Sequence, residues 1–279
     1  MNRWILVGSL LLMTLSPAAA WAEEPVPTPV AEAGRVALAH DWWTDGAVTL
    51  GAAAGWILLE TALKEPLGPG STCRVCDPIA MDLEVRNALR WHDSDLAELI
   101  GSVTGFVLAP VAGVGMTALA AMLDEQTENI WVDGLIVLES AMIVGVVTDV
   151  VKYSVARKRP AARFSGEEFD NIGTNLSFFS GHTSISFAFA VAAGTVASLR
   201  EYEGAPWVWA IGLSIAGFTG YSRIAADAHY FTDVMSGALV GSAIAFAVPY
   251  LLHSPLEDRA AIGVVSTPDG ALTVLSWSW

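Results

Sequence analysis

The stretch Ser222-Arg223-Ile224-Ala225-Ala226-Asp227-Ala228-His229-Tyr230-Phe231-Thr232-Asp233 joins two strongly apolar segments, Ala205–Tyr221 and Thr232–Leu252. Polar residues in such a place need a reason. His229 and Asp233 are four apart, so on a helix they share one face, where a carboxylate can hold an imidazole Nδ1–H and leave Nε2 free to attack or to accept a proton. Arg223 adds a fixed cation nearby. Taken alone, a His and an Asp at this spacing are more often a structural pair than a catalytic one. The reading therefore turns on what else converges there.

Outward from this stretch the chain is apolar. Of its 279 residues, 53% are hydrophobic and 15% charged, with a mean hydropathy of +0.50, which points to a bilayer rather than a soluble globule. A net charge of -15 offers no electrostatic footprint for nucleic acid. Six apolar segments follow one another: Ala47–Leu63, Ala97–Leu123, Ile130–Tyr153, Thr183–Leu199, Ala205–Tyr221 and Thr232–Leu252. Their lengths predict an all-α bundle of six helices, mostly transmembrane. Glu60, Asp133, Glu139 and Asp149 interrupt two of them; acids so placed are expected to face the bundle interior and to hydrogen-bond between helices.

The flanks are of other kinds. Met1 to Ala22 has a basic start, an apolar run and small residues before Glu23-Glu24, the pattern of a signal peptide cleaved after Ala22. Residues 23–40 are rich in proline and acids and read as a flexible leader, the helical domain as 41–255, and 256–279 as a tail. In that tail two β-rich runs flank Pro268-Asp269-Gly270, which predicts a small C-terminal β-hairpin. Between the first two apolar segments, Cys73 and Cys76 are the only cysteines. They exclude a four-cysteine zinc site and, in an exported chain, suggest one local disulfide.

Two further motifs lie at the ends of apolar segments. From Lys152 to Arg163 there are five cations and no acid, a local inversion of sign that asks for an anion, or else for an anchor at a membrane boundary. Lys152 and Arg159 are seven apart, so both can project from one face before Pro160 disfavours further helix. The second motif, Phe179-Ser180-Gly181-His182-Thr183, directly precedes the fourth segment. Ser180 or Thr183 can cap that helix, and Gly181 permits close approach of an oxyanion to the free N–H groups. If successive segments cross one layer, all three motifs fall on the same side. Together they offer cations and N–H donors for a phosphate, one imidazole to attack or act as base, and a second to protonate a leaving oxygen.

These residues resemble the type 2 phosphatidic acid phosphatases, a family that shares its fold with bacterial class A acid phosphatases and vanadium haloperoxidases. The family pattern Lys-x6-Arg-Pro, Pro-Ser-Gly-His and Ser-Arg-x5-His-x3-Asp is met by Lys152 to Arg159-Pro160, by Phe179-Ser180-Gly181-His182 and by Ser222-Arg223 to His229 and Asp233, with Phe179 in place of a proline. The resemblance covers about residues 100 to 250.

It implies that Lys152, Arg159, Arg223, Ser180 and Gly181 hold the phosphoryl group. It further implies that His229 forms a phosphohistidine, that Asp233 orients His229, and that His182 protonates the leaving alkoxide. No metal or other cofactor is implied. The apolar flanks imply a phosphorylated lipid as substrate, with the protein in a bacterial cell envelope and its site facing the periplasm. A vanadate-dependent haloperoxidase and a non-catalytic phospholipid-binding protein are the alternatives. Asp227 matches no position of the pattern and is expected to be structural.

Overall fold

The computed structural model describes residues 36–70, 72–165, 172–255, 261–267 and 270–276. The expected signal peptide, most of the leader and the Pro268-Asp269 turn lie outside them. The chain divides into a unit His40–His253 and a second unit formed by the two ends. In the second unit Leu38 bridges Pro255, and strands β1 (Ala261–Thr267) and β2 (Gly270–Ser276) pair antiparallel, from Ala261 opposite Ser276 to Thr267 opposite Gly270.

The main unit is helical. In chain order it contains α1 (Trp42–Glu60), the short α2 (Lys64–Leu67), α3 (Ala80–Leu89), α4 (Ser94–Val103), α5 (Ala109–Leu123), α6 (Ile130–Val155), the short α7 (Pro160–Phe164), α8 (Gly181–Leu199), α9 (Ala205–Ala225) and α10 (Phe231–Ala247). A π-turn at Thr104–Leu108 makes α4 and α5 one continuous rod, and another at Val248–Leu252 extends α10. Local chemistry sets the boundaries. The Asp41 carboxylate accepts from Thr44 N–H at 2.8 Å and that of Asp93 from Leu96 N–H at 2.9 Å, satisfying amides that a helix start leaves over. Ala156 takes a left-handed conformation and ends α6, and Pro206 sits in the first turn of α9, where a missing N–H does no harm.

Among the described residues four segments are long and apolar enough to cross a membrane: Ser94–Leu123, Thr127–Val155, Gly181–Leu199 and Phe231–Leu252. The expected count of six is corrected by α1 and α9, where Trp, Gly, Ser and Thr dilute the apolar residues. α9 still carries the chain back, from Tyr202 near Asp133 at one end to Arg223 near Glu98 at the other.

At the centre stands α8, whose small side chains, Ala188 to Ala197 among them, are mostly buried and which packs on α5, α6, α9 and α10. Lipid tails are as apolar as leucine, so tight association here depends on close backbone approach at small residues. Gly237 and Gly241 of α10 face the backbone of Ser180 and Ser184, and a Cβ on Gly237 would stand 2.7 Å from the Ser180 carbonyl oxygen. The outward faces are greasy: Leu99, Val111 and Leu239 are 60%, 64% and 71% exposed, as lipid-facing residues should be. Two of the interior acids, Asp133 and Glu139, are paired. Asp133 accepts from Arg200 at 2.8 Å and from the Tyr202 hydroxyl at 2.7 Å, and Glu139 lies 3.2 Å from His253 Nε2, the interhelical bonding expected of such acids.

Candidate active site

The three motifs meet at one end of the bundle, where a cavity of about 340 Å³ is lined by Lys152, Arg159, Gly181, His182 and His229. Lys152 stands in the last turn of α6, and its ammonium would be 3.0 Å from a Cβ placed on Gly181. A side chain on residue 181 would therefore intrude on the lysine, so glycine keeps the start of α8 open to the same anion. Arg159 follows once the chain has turned at Ala156. Its Nε donates to the Gly173 carbonyl at 2.9 Å, and its Nη1 lies 3.3 Å from His229 Nε2.

Not every cation of the basic run takes part. Arg157 turns away from the cavity and donates through Nη1 to Asp233 Oδ1 at 2.5 Å and through Nη2 to Asp82 Oδ2 at 2.6 Å. Arg163 pairs with Asp77 at the surface at 3.0 Å. The sign inversion seen in the sequence is thus partly spent on structural acids from α3 and its approach.

At the second motif the Ser180 hydroxyl oxygen accepts from Thr183 Oγ1 at 2.9 Å and from Thr183 N–H at 3.4 Å. It caps α8, is fully buried, and is not among the residues that line the cavity. The first-turn amides of Gly181 and His182 have no carbonyl to bind within the helix. His182 Nε2 lies 3.3 Å from Ser102 Oγ, and the ring packs on Phe106 with centroids 4.3 Å apart. Phe179, which replaces the proline of the family pattern, is buried, with its ring beside Gly237.

The third motif departs from the simplest expectation. The Nδ1–H of His229 donates to the Ser177 carbonyl at 2.8 Å, while Asp233 Oδ2 is 3.9 Å from Nδ1, too far for a hydrogen bond. Asp233 instead accepts from Ser177 Oγ at 2.6 Å and from Tyr230 N–H at 2.9 Å, and its carbonyl accepts from Ser180 N–H at 3.0 Å. It fixes the two loops that hold the imidazole. With Nδ1 carrying the proton, Nε2 keeps its lone pair toward Arg159 and the cavity. Burial, then Arg159, Arg223 and Lys152, hold the His229 pKa well below its ordinary value of 6.5. The imidazole is therefore neutral at physiological pH.

Arg223 is 1% exposed and reaches Glu98 on α4 at 2.8 Å, while its Nε and Nη1 have no partner among the described residues. Burial and the neighbouring Arg223 lower the Arg159 guanidinium to about 10, so it stays cationic at neutral pH. Sequence reasoning missed Glu98, Ser102, Asp82, Arg86 and Arg157. Asp227, left as structural, forms a two-pronged pair with Arg86 at 2.5 and 2.6 Å. The disulfide Cys73–Cys76 precedes α3, and its loop joins the site: Val75 bridges Arg157, and Lys158 N–H donates to the Val75 carbonyl at 3.0 Å.

Residues 133–255 match the family model of the PAP2 superfamily. The chain is 36% identical over 99 residues to a lipid A 1-phosphatase of Porphyromonas gingivalis, covering 36% of this chain and 19% of that protein. It is 27% identical over 209 residues to the probable diacylglycerol pyrophosphate phosphatase 1 of Schizosaccharomyces pombe, covering 64% and 73%. An undecaprenyl-diphosphatase of Sulfolobus acidocaldarius is 32% identical over 115 residues, covering 40% and 52%. The match thus spans about a fifth of the first relative's length and about half of the third's. Among solved structures the chain is similar to Aquifex aeolicus LpxE, with 24% identity, a TM-score of 0.45, and 62% of this chain and 98% of that one covered. It is also similar to a transmembrane PAP2 type phosphatidylglycerolphosphate phosphatase from Bacillus subtilis, with 18% identity, a TM-score of 0.45, and 74% and 94% covered.

Proposed function

We propose, from the match of residues 133–255 to the PAP2 superfamily model, that this chain is a membrane-bound phosphatase that hydrolyses a lipid phosphate without a metal ion, through a phosphohistidine on His229. The observation that carries the reading is the state of His229. Its Nδ1–H is committed to the Ser177 carbonyl, and Nε2 lies 3.3 Å from Arg159 in the cavity shared with Lys152 and His182.

In the first step a phosphoryl oxygen takes the place of Nε2 as the acceptor of the Arg159 Nη1–H, and Nε2 attacks phosphorus. The bond from phosphorus to the lipid oxygen breaks, and His182 gives that oxygen its proton. Lys152, Arg159, Arg223 and the amides at the start of α8 take up the charge that builds on the equatorial oxygens. In the second step His182 accepts a proton from water, the water oxygen bonds phosphorus, and the bond to Nε2 breaks. The products are the lipid alcohol and phosphate. Asp233 acts through Ser177 and Tyr230, by holding the loops on either side of the imidazole.

The apolar outward faces and the names of the relatives support a lipid substrate. The disulfide, in a loop paired with residues next to Arg159, supports a site facing an oxidising compartment such as a periplasm. The direction of α1, which ends at the site as α6 does, is the opposing consideration, because an outward site starts α1 at the inner face. Thiol labelling of intact cells decides between them: Cys73 and Cys76 that label without prior reduction place the site inside.

The test of the chemistry is phosphate release by the purified protein from lipid and water-soluble phosphates in the presence of a chelator. Activity should survive the chelator, fall to background in His229→Ala, and yield an acid-labile phosphoprotein on rapid quenching of the wild type. Labelled phosphate on the protein in His229→Ala, or activity lost to the chelator, refutes the mechanism.

A further inference from the structure

Helix α1 lies outside the residues that match the family, yet Glu60 at its end reaches the cavity. The Glu60 carboxylate stands between two ammonium groups, with Oε1 3.2 Å from Lys152 and Oε2 2.9 Å from Lys64. Burial pushes its carboxyl up, but Lys152 and Lys64 outweigh that and hold it at about 2. Lys152 meets a second carboxylate, Asp149, at 3.2 Å. Arg223 faces Glu98. Among the described residues the Arg159 guanidinium faces carbonyls and His229 in its hydrogen bonds. The four cations around the cavity are thus set against three carboxylates, and the small positive excess suits one phosphate group. Water reaches the Glu60 end of this cluster: its side chain is 36% exposed and that of Lys64 30%, against 10% for Lys152.

We infer that Glu60 is an internal anion that occupies Lys152 and Lys64 until a phosphoryl group displaces it, and that it selects substrates with a single phosphate over diphosphates and speeds the release of product phosphate. The inference rests on the phosphatase reading and deepens it. Lys152 is the lysine of the first motif, so an arriving phosphate competes with Glu60 for that ammonium. A monoester displaces Glu60 from Lys152 and leaves it on Lys64. A diphosphate carries a second anionic group into the same confined space, where it meets the Glu60 carboxylate with one lysine less to screen it. Like charges this close in a partly dehydrated pocket repel strongly. After hydrolysis the returning carboxylate competes with phosphate for Lys152 and favours its departure.

The experiment compares wild type, Glu60→Gln and Glu60→Asp on farnesyl monophosphate and farnesyl diphosphate, with inorganic phosphate affinity read by thermal shift. Wild type should favour the monophosphate in kcat/KM. Glu60→Gln should raise the diphosphate-to-monophosphate ratio and tighten phosphate binding, each on the order of tenfold for loss of one nearby charge. Glu60→Asp, which keeps the charge, should stay near the wild-type ratio. A Glu60→Gln protein of unchanged melting temperature with an unchanged ratio, or with weaker phosphate binding, overturns the inference. If the wild type hydrolyses none of the lipid and water-soluble phosphates of the panel above, the phosphatase reading fails by itself, and the phosphate affinities of the three proteins still decide the role of Glu60.

Discussion

Replacing Gly237 by alanine tests whether the site depends on the fit of α10 against α8. A Cβ there would lie 2.7 Å from the Ser180 carbonyl oxygen. Ordinary contact begins near 3.4 Å, so the two backbones must part by about 0.7 Å. The oxygen cannot swing aside, because it already accepts from Ser184 N–H at 2.9 Å. The strain therefore moves the start of α8, which bears His182, away from α10, which bears Asp233 one turn before Gly237. Overpacking of this kind costs about 1–3 kcal/mol, which a bundle of this size withstands. Catalysis is less tolerant, since a misplacement of about 1 Å at a reacting centre can cost about a hundredfold. The expected result is a folded protein with a melting temperature lowered by a few degrees and kcat down by about ten- to a hundredfold. Gly115→Ala is the control: nothing lies within 4 Å of its Cβ position, and neither stability nor rate should fall. Full activity in Gly237→Ala would refute the coupling of helix fit to the site.

Two further outcomes follow from the buried charges. Because the His229 pKa is depressed in the folded protein, the unfolded chain binds the extra proton between that low value and 6.5, and stability must fall as pH drops below 6.5. The slope is about 1.4 kcal/mol per pH unit for one group; melting temperatures from pH 7.5 to 5 should show it, and His229→Gln should make the curve shallower. Arg157→Met removes the cation shared by Asp82 and Asp233, both wholly buried, and should cost about 3–5 kcal/mol. Urea unfolding in detergent measures it, and a loss below about 1 kcal/mol would show that the pair is solvated.

The groups proposed to react were legible because their spacing is local. Lys152, Arg159, His182, Arg223 and His229 stand in three short motifs at segment ends, and helix topology alone puts those ends together. Groups that pair across the fold were not. Arg86 meets Asp227 across 141 positions, and Asp82 meets Arg157 across 75. No periodicity records such partners, and in sequence Asp82 and Arg86 look like any charges at the start of the short helix that the sequence suggests around Leu83–Trp91. Ser180 illustrates a different limit. A serine before a helix can serve a ligand or its own helix, and the residue three positions on decides: Thr183 takes the Ser180 oxygen. Asp233 was read at helical spacing from His229, but the helix starts only at Phe231. His229 thus lies before the first turn, and its Nδ1 reaches the Ser177 carbonyl first.

The two acid–arginine pairs that tie α3 to the loops around Arg159 and His229 bear on how this domain can be divided. Residues 133–255 hold the groups proposed to react, but that fragment by itself leaves Arg157 without Asp82 and Asp227 without Arg86, charges that the whole protein buries in pairs. The segment that matches the family model is therefore smaller than the segment that can be transplanted. A chimera that takes residues 133–255 into another scaffold must bring α3 along, or replace Arg157 and Asp227 with neutral residues at the same time.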